Sequence, residues 1–327
     1  MRNPERFPRG ARVMFIGDSI TCNGTFISYI QEYYRTHFPE DRVRMFNAGV
    51  SGGNVHESAL RYLASDLAEH EPTHAVIMLG MNDIWRGHYM TEEHYTDVKA
   101  ERARVYLDGM LQLTEALSAR GIPFVLCTPT PFDDEMVCEE PAGKNLAMAL
   151  TGYGYLCMGL AEKYGAPCVD FNEAMTFFNR EMQKKDPAFS LIGTDRVHPT
   201  AAGHALMATV FLRAQGFTDL PEPTVDAYER GALAFAVEAK EQKRYELEQS
   251  RRRIRTGAYF FLGDAWQAPL EERLSLAKTY LNENRDKPDA NPYIIKCVEE
   301  YLTEAPREEE YRVRLQALTD ALYGDET

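Results

Sequence analysis

Ser19 and His198 are the side chains whose neighbours best equip them for chemistry. Ser19 closes Gly17-Asp18-Ser19, directly after the apolar run Arg12-Val13-Met14-Phe15-Ile16. That run reads as a buried β-strand ended by Gly17, so the hydroxyl is held at the strand tip, on the turn into a helix. Serine is a poor nucleophile until a base takes its proton, and imidazole, with a pKa of ~6.5, suits that task near neutral pH. His198 lies in Asp195-Arg196-Val197-His198-Pro199. Asp195, three residues earlier, can hold the ring in one tautomer and stabilise its cation. Taken singly, Gly-Asp-Ser is also ordinary turn composition, and Asp-x-x-His-Pro also suits a helix entry. Together they imply nucleophilic hydrolysis through a Ser-His-Asp triad.

Two further segments follow predicted strands. Val43-Arg44-Met45-Phe46-Asn47 leads into the glycine turn Ala48-Gly49-Val50-Ser51-Gly52-Gly53, and Ala75-Val76-Ile77-Met78-Leu79 leads into Gly80-Met81-Asn82-Asp83. Acyl transfer passes through a tetrahedral oxyanion, and each donor aimed at it contributes ~2.7–4 kcal/mol. The N–H groups of Ser19 and Gly52 and the side-chain amide of Asn82 make a complete set of donors. A nucleotide site at the glycine turn is disfavoured, because no Gly-Lys-Ser/Thr follows and no Gly-x-Gly-x-x-Gly fits. In this order the four segments resemble the sequence blocks of the SGNH (GDSL-type) esterase/lipase hydrolase family, over roughly residues 10–216. The resemblance implies Ser19 as nucleophile, Gly52 and Asn82 as oxyanion donors, His198 as base and Asp195 as its orienter. One departure is Ile20-Thr21, where the family's name has leucine after the serine. That change is common among members resembling carbohydrate esterases and small-ester hydrolases.

Positioning such a set requires strands that end at a common level. The three strands above are joined by Ile122-Pro123-Phe124-Val125-Leu126-Cys127 and Ala166-Pro167-Cys168-Val169-Asp170, with helical patterns near 24–37, 55–70, 98–120, 145–164 and 200–215. Apolar strands without alternation, each followed by a helix, predict a parallel sheet covered on both faces. With the resemblance, the expected fold is a three-layer α/β/α flavodoxin-like core over residues 1–217. Ligands in such sheets bind beyond the carboxyl ends of the strands, where Ser19, Gly52 and Asn82 fall.

From about Pro221 strands no longer alternate with helices, and residues 218–327 are expected to form an α-helical extension. Tyr228, Ala232, Phe235 and Ala239 step at helical spacing, as do Leu270, Leu274, Ala277 and Leu281, and Tyr311, Leu315, Leu318 and Leu322. Such stripes need a partner, either the hydrolase core or a second copy in a homo-oligomer, and the packed appendage is the favoured reading. Lys240 to Arg255 carries seven basic and three acidic residues and reads as a solvated helix face.

The chain of 327 residues has a net charge of −14, which disfavours nucleic acid and anionic membranes as partners. No run reaches the length of a membrane helix, and the N-terminus shows no apolar stretch of signal-peptide type. Six cysteines without paired spacing fit reduced thiols in the cytoplasm, and no Cys or His cluster has metal-ligand spacing. The mechanism needs no metal or organic cofactor. Substrate contacts are expected from Asp18, Met81, Trp85, Tyr89 and Thr130. Residues 129–145 have the length of a lid, with Asp133-Asp134-Glu135 as a solvated acidic turn, and His56 and His88 are expected at the surface. The expected activity is hydrolysis of a short acyl ester, acetyl above all, of a sugar or small alcohol. Acyl transfer through the same triad, and lysophospholipase- or thioesterase-type hydrolysis, are the alternatives.

Overall fold

The computed structural model describes residues 2–90 and 96–324. Strand β1 (Arg12–Gly17) lies between β2 (Arg44–Gly49) and β3 (His74–Met78), and β4 (Phe124–Cys127) and β5 (Cys168–Val169) complete a parallel sheet of order β2-β1-β3-β4-β5. Buried residues run along each strand without alternation, as strands covered on both faces require. Helices α2 (Thr25–His37) and α7 (Ala201–Ala214) cover one face, where Phe15 meets Phe26 at 5.8 Å and Phe211 at 6.2 Å between ring centres. Helices α4 (Thr96–Ser118) and α5 (Leu146–Tyr164) meet through Tyr106 and Tyr153, 4.7 Å apart, and the Cys157 thiol of α5 faces the carbonyl of Cys127 on β4. The expected α/β/α core is therefore present. Gly17 pairs in register with Gly49 and with Met78, so the loops after β1, β2 and β3 leave the sheet at one level.

Two details differ from the sequence reading. Helix α6 (Phe171–Gln183) follows β5 where no helix is expected; Asp170 caps it by accepting from the N–H of Glu173. Conversely, Tyr228 to Ala239 is not one helix. Helix α8 (Val225–Glu229) ends early in this stretch, Gly231 turns the chain at φ 69°, and the next helix begins only at Ala239. The apolar side chains recur there because they pack on the core: Phe235 stacks on Tyr29, and Tyr228 sits edge-on to Phe178.

Contacts divide the chain into two units. The first comprises Met1–Gly49 with Gly53–Val237, and the second Val50–Gly52 with Glu238–Thr327. Ala227 and Leu233 belong to the core of the first, so the chain stays with that core beyond the change in composition. In the second unit, α9 (Ala239–Phe261), α10 (Leu270–Asn284), α11 (Pro292–Glu304) and α12 (Glu308–Tyr323) share a core that includes Leu247, Ile254, Ala277, Leu281, Val298 and Tyr301. The charged stretch of α9 is not simply a solvated face. Glu241, Arg244, Glu248 and Arg252 are buried; Arg244 donates to Glu241 at 2.6 Å and to Glu248 at 3.4 Å, while the Tyr323 hydroxyl donates to Glu241 at 2.7 Å. Spacing of three and four residues stacks these groups on one helix face, where Arg244 meets both Glu241 and Glu248. Among the described residues no helix is long and apolar enough to cross a membrane.

Candidate active site

Helix α1 (Ser19–Asn23) begins immediately beyond β1, with Ser19 as its first residue. Asp18 caps it, accepting from the N–H of Ile20 at 2.9 Å. Gly17 permits this sharp exit from the sheet, because a Cβ there would lie 2.7 Å from the carbonyl oxygen of Met78. The hydroxyl of Ser19 lies 2.8 Å from Nε2 of His198, and Nδ1 of His198 lies 2.6 Å from Oδ2 of Asp195. The other carboxylate oxygen of Asp195 accepts from the N–H groups of Val197 and His198, both at 2.9 Å. Burial alone would raise the Asp195 carboxyl, but the hydrogen bonds from the His198 N–H, the imidazole and the Val197 N–H outweigh it and hold it below its ordinary range. His198 and Asp195 are both about half exposed, so the centre opens to solvent.

The turn carrying Asp195 and His198 is anchored from beneath. Arg196 adopts the left-handed region at φ 62°, which costs a residue with a Cβ roughly 1–2 kcal/mol. Its buried guanidinium donates to the carbonyls of Asp133 at 2.7 Å and Glu140 at 2.9 Å. Asp133, expected in a solvated turn, is buried. Its carboxylate accepts from the N–H groups of Glu135 and Met136 and from the side chains of Asn179, Gln183 and Ser190. Such a hub is at odds with a free lid over this part of residues 129–145.

The amide of Asn82 donates to the carbonyl of Gly53 at 2.9 Å, which leaves it a second hydrogen to give. The neighbouring Asp83 accepts from the N–H of Val55, and burial, reinforced by the like charge of Asp18, pushes its carboxyl up to about 7. Burial likewise raises Asp18 to about 6, against the Ile20 N–H and the charges of His198 and Arg86. Gly52 has φ 75° and falls in the second unit, where a Cβ on it would lie 2.9 Å from the Phe260 ring. In the same unit Ser51 donates its N–H to Thr256 and shares a 2.6 Å hydrogen bond with the Tyr293 hydroxyl.

The structure thus brings Ser19, His198 and Asp195 into one hydrogen-bonded chain. Of the residues expected to meet substrate, Asp18, Met81, Tyr89 and Thr130 are buried and Trp85 is exposed. His56 is not a surface residue: it is half-buried, with its Nε2 3.0 Å from the carbonyl of Val105 in α4; His88 is half-buried too. A groove of about 980 Å³ lined by Met148, Tyr155 and Phe177 contains none of Ser19, Asp195 and His198. The sequence reading missed Asp133 and Arg196, whose roles arise from tertiary contacts.

A family model described as the GDSL-like lipase/acylhydrolase family matches residues 15–206. The chain is 30% identical over 228 residues to an acetylxylan esterase of Geobacillus stearothermophilus, an alignment covering 64% of this chain and 95% of that protein. A solved structure of an acetylxylan esterase from Geobacillus stearothermophilus superposes with a TM-score of 0.52 at 27% identity, covering 66% of this chain and 97% of that one. A gut microbial diltiazem-metabolizing enzyme superposes with a TM-score of 0.82 over 98% of this chain and 96% of its own; at 17% identity that likeness concerns the fold alone.

Proposed function

Because the chain belongs to the GDSL-like lipase/acylhydrolase family and is a carboxylic ester hydrolase, we propose that it removes a short acyl group, acetyl above all, from a sugar or other small alcohol. The observation that carries the proposal is the unbroken chain from the Ser19 hydroxyl to His198 to Asp195. Ser19 Oγ attacks the acyl carbonyl while Nε2 of His198 takes its proton. Asp195 stabilises the imidazolium that results and keeps Nδ1 as the donor to itself. The tetrahedral oxyanion is held by the Ser19 N–H and the Asn82 amide, with the Gly52 N–H carried over from the family motif. His198 then protonates the departing alcohol. Water, deprotonated by the same nitrogen, releases the acid and restores Ser19.

The acetyl preference is supported by the acetylxylan esterase relative, whose length the chain almost fully spans. Acyl transfer needs the same residues with an alcohol in place of water, and longer acyl groups need only a wider pocket. The deciding experiment incubates the protein with acetylated xylo-oligosaccharides, with and without a free sugar acceptor, and follows acetate. Acetate release that is insensitive to acceptor supports hydrolysis; stoichiometric appearance of acetylated acceptor, with little acetate, supports transfer. Faster turnover of octanoyl than of acetyl p-nitrophenyl esters would refute the short-acyl reading.

A further inference from the structure

The turn after Asn82 holds two side chains that the mechanism leaves unused. Trp85 adopts φ 56°, a left-handed conformation that is rare for a bulky side chain, and its N–H donates to the Asn82 carbonyl. The turn presents the indole to solvent, 55% exposed, with the Arg102 guanidinium 3.9 Å from the ring centre. Arg86 follows, at the start of a single 3₁₀ turn, Arg86–Tyr89. It is half-buried, and among the described residues it has neither a hydrogen bond nor an ion pair. Its loop leaves β3 level with the end of β1, just ahead of Asp18 and Ser19, and its charge acts on Asp18 and Asp195. A guanidinium that is partly desolvated and has five free donors is best matched by a carboxylate, which it grips with two parallel hydrogen bonds. An exposed indole next to it suits the apolar face of a pyranose ring.

Resting on the esterase reading, we propose that Trp85 and Arg86 form a subsite for an acidic sugar on the alcohol side of the ester. The protein then favours acetyl esters whose sugar carries a carboxylate, as a uronic acid does, over the matching neutral sugar. Charge on the protein as a whole opposes an anionic substrate at long range, so the preference depends on this local cation.

The test compares methyl glucuronoside and methyl glucoside carrying one acetyl group on the same hydroxyl, beside p-nitrophenyl acetate and p-nitrophenyl hemisuccinate. The wild type is expected to show a kcat/KM about tenfold higher on the uronate ester, shrinking at high salt. In Arg86→Gln the uronate-to-glucoside ratio falls close to one, whatever the absolute rates, and Arg86→Lys keeps part of it. A wild type without preference, or a ratio unchanged in Arg86→Gln, overturns the proposal. Selection for hemisuccinate in place of the uronate would put the carboxylate on the acyl side and overturn the alcohol-side subsite. Inactivity on p-nitrophenyl acetate would sink the esterase reading itself, whereas activity there without charge preference sinks only the acidic-sugar subsite.

Discussion

Replacing Asp133 by alanine tests whether the histidine-bearing turn owes its position to a buried carboxylate. That carboxylate accepts five hydrogen bonds, two from backbone N–H groups and three from Asn179, Gln183 and Ser190. At the low end of its range a hydrogen bond to a charged acceptor contributes roughly 1.5 kcal/mol, so the five sum to about 7 kcal/mol before any compensation. Water entering the vacated space and relaxation of the exposed part of the loop recover some of this, so a loss of about 3–5 kcal/mol is expected. For a domain of this size that corresponds to a fall in Tm of roughly 6–20 °C. Scanning calorimetry reads it in the transition of the first unit. Because the Asp133 carbonyl also receives Arg196, kcat should fall as well, measured on p-nitrophenyl acetate at a temperature where the variant is folded. Asp133→Asn keeps the shape but turns an NH₂ toward groups that already donate, so it should recover less than half the loss. A Tm within 2 °C of the wild type in Asp133→Ala, a threshold of about 1 kcal/mol or less, would refute the reasoning.

Other perturbations give separate readouts. Asn82→Ala should lower kcat by ~10²–10³ while fluorophosphonate labelling of the serine persists, since one oxyanion donor is lost and the nucleophile remains; an unchanged kcat removes Asn82 from that role. Asp83, raised from 3.8 to about 7 mainly by burial, binds its proton more tightly folded than unfolded, so its contribution to stability is fully present below pH 3.8 and falls away up to about pH 7. Asp83→Asn keeps an oxygen for the Val55 N–H and should flatten the decline of Tm across that window; an unaltered slope would show that Asp83 titrates normally. Arg244→Met leaves Glu241 buried with, among the described residues, only Tyr323 as a partner and should lower the Tm of the second unit's transition, by about 3–5 kcal/mol of stability. No shift there would mean the buried ion cluster is dispensable.

The sheet was legible because its strands are short apolar runs ended by breakers, and Gly17, Gly49 and Gly80 mark where the chain leaves it. The hydrogen-bonded chain from Ser19 through His198 to Asp195 was legible because Asp195 and His198 are local in sequence and Ser19 follows the first strand. What remained hidden depends on distant partners. The Asp133 cluster looks like a polar turn until Asn179, Gln183 and Ser190 arrive from α6 and the loop beyond it. Helix α6 did carry a signal: Asp170 with Glu173 three residues on, then Phe171, Met175, Phe178 and Met182 at helical spacing, all four buried. The Tyr228 to Ala239 stripe misled because periodic burial against a core imitates a helix face. In α9 the excess of basic residues concealed that Arg244 and its two carboxylates face inward.

The most direct measurement is labelling with a fluorophosphonate, mapped by mass spectrometry and paired with esterase rates for Ser19→Ala. Only an activated serine reacts, and the hydrogen-bonded chain through His198 and Asp195 points to Ser19 as that serine. The label is predicted on Ser19 alone, and Ser19→Ala should abolish it while lowering kcat by roughly 10⁴-fold or more. A label on any other residue, or a Ser19→Ala protein that keeps a substantial part of its activity, would contradict the account.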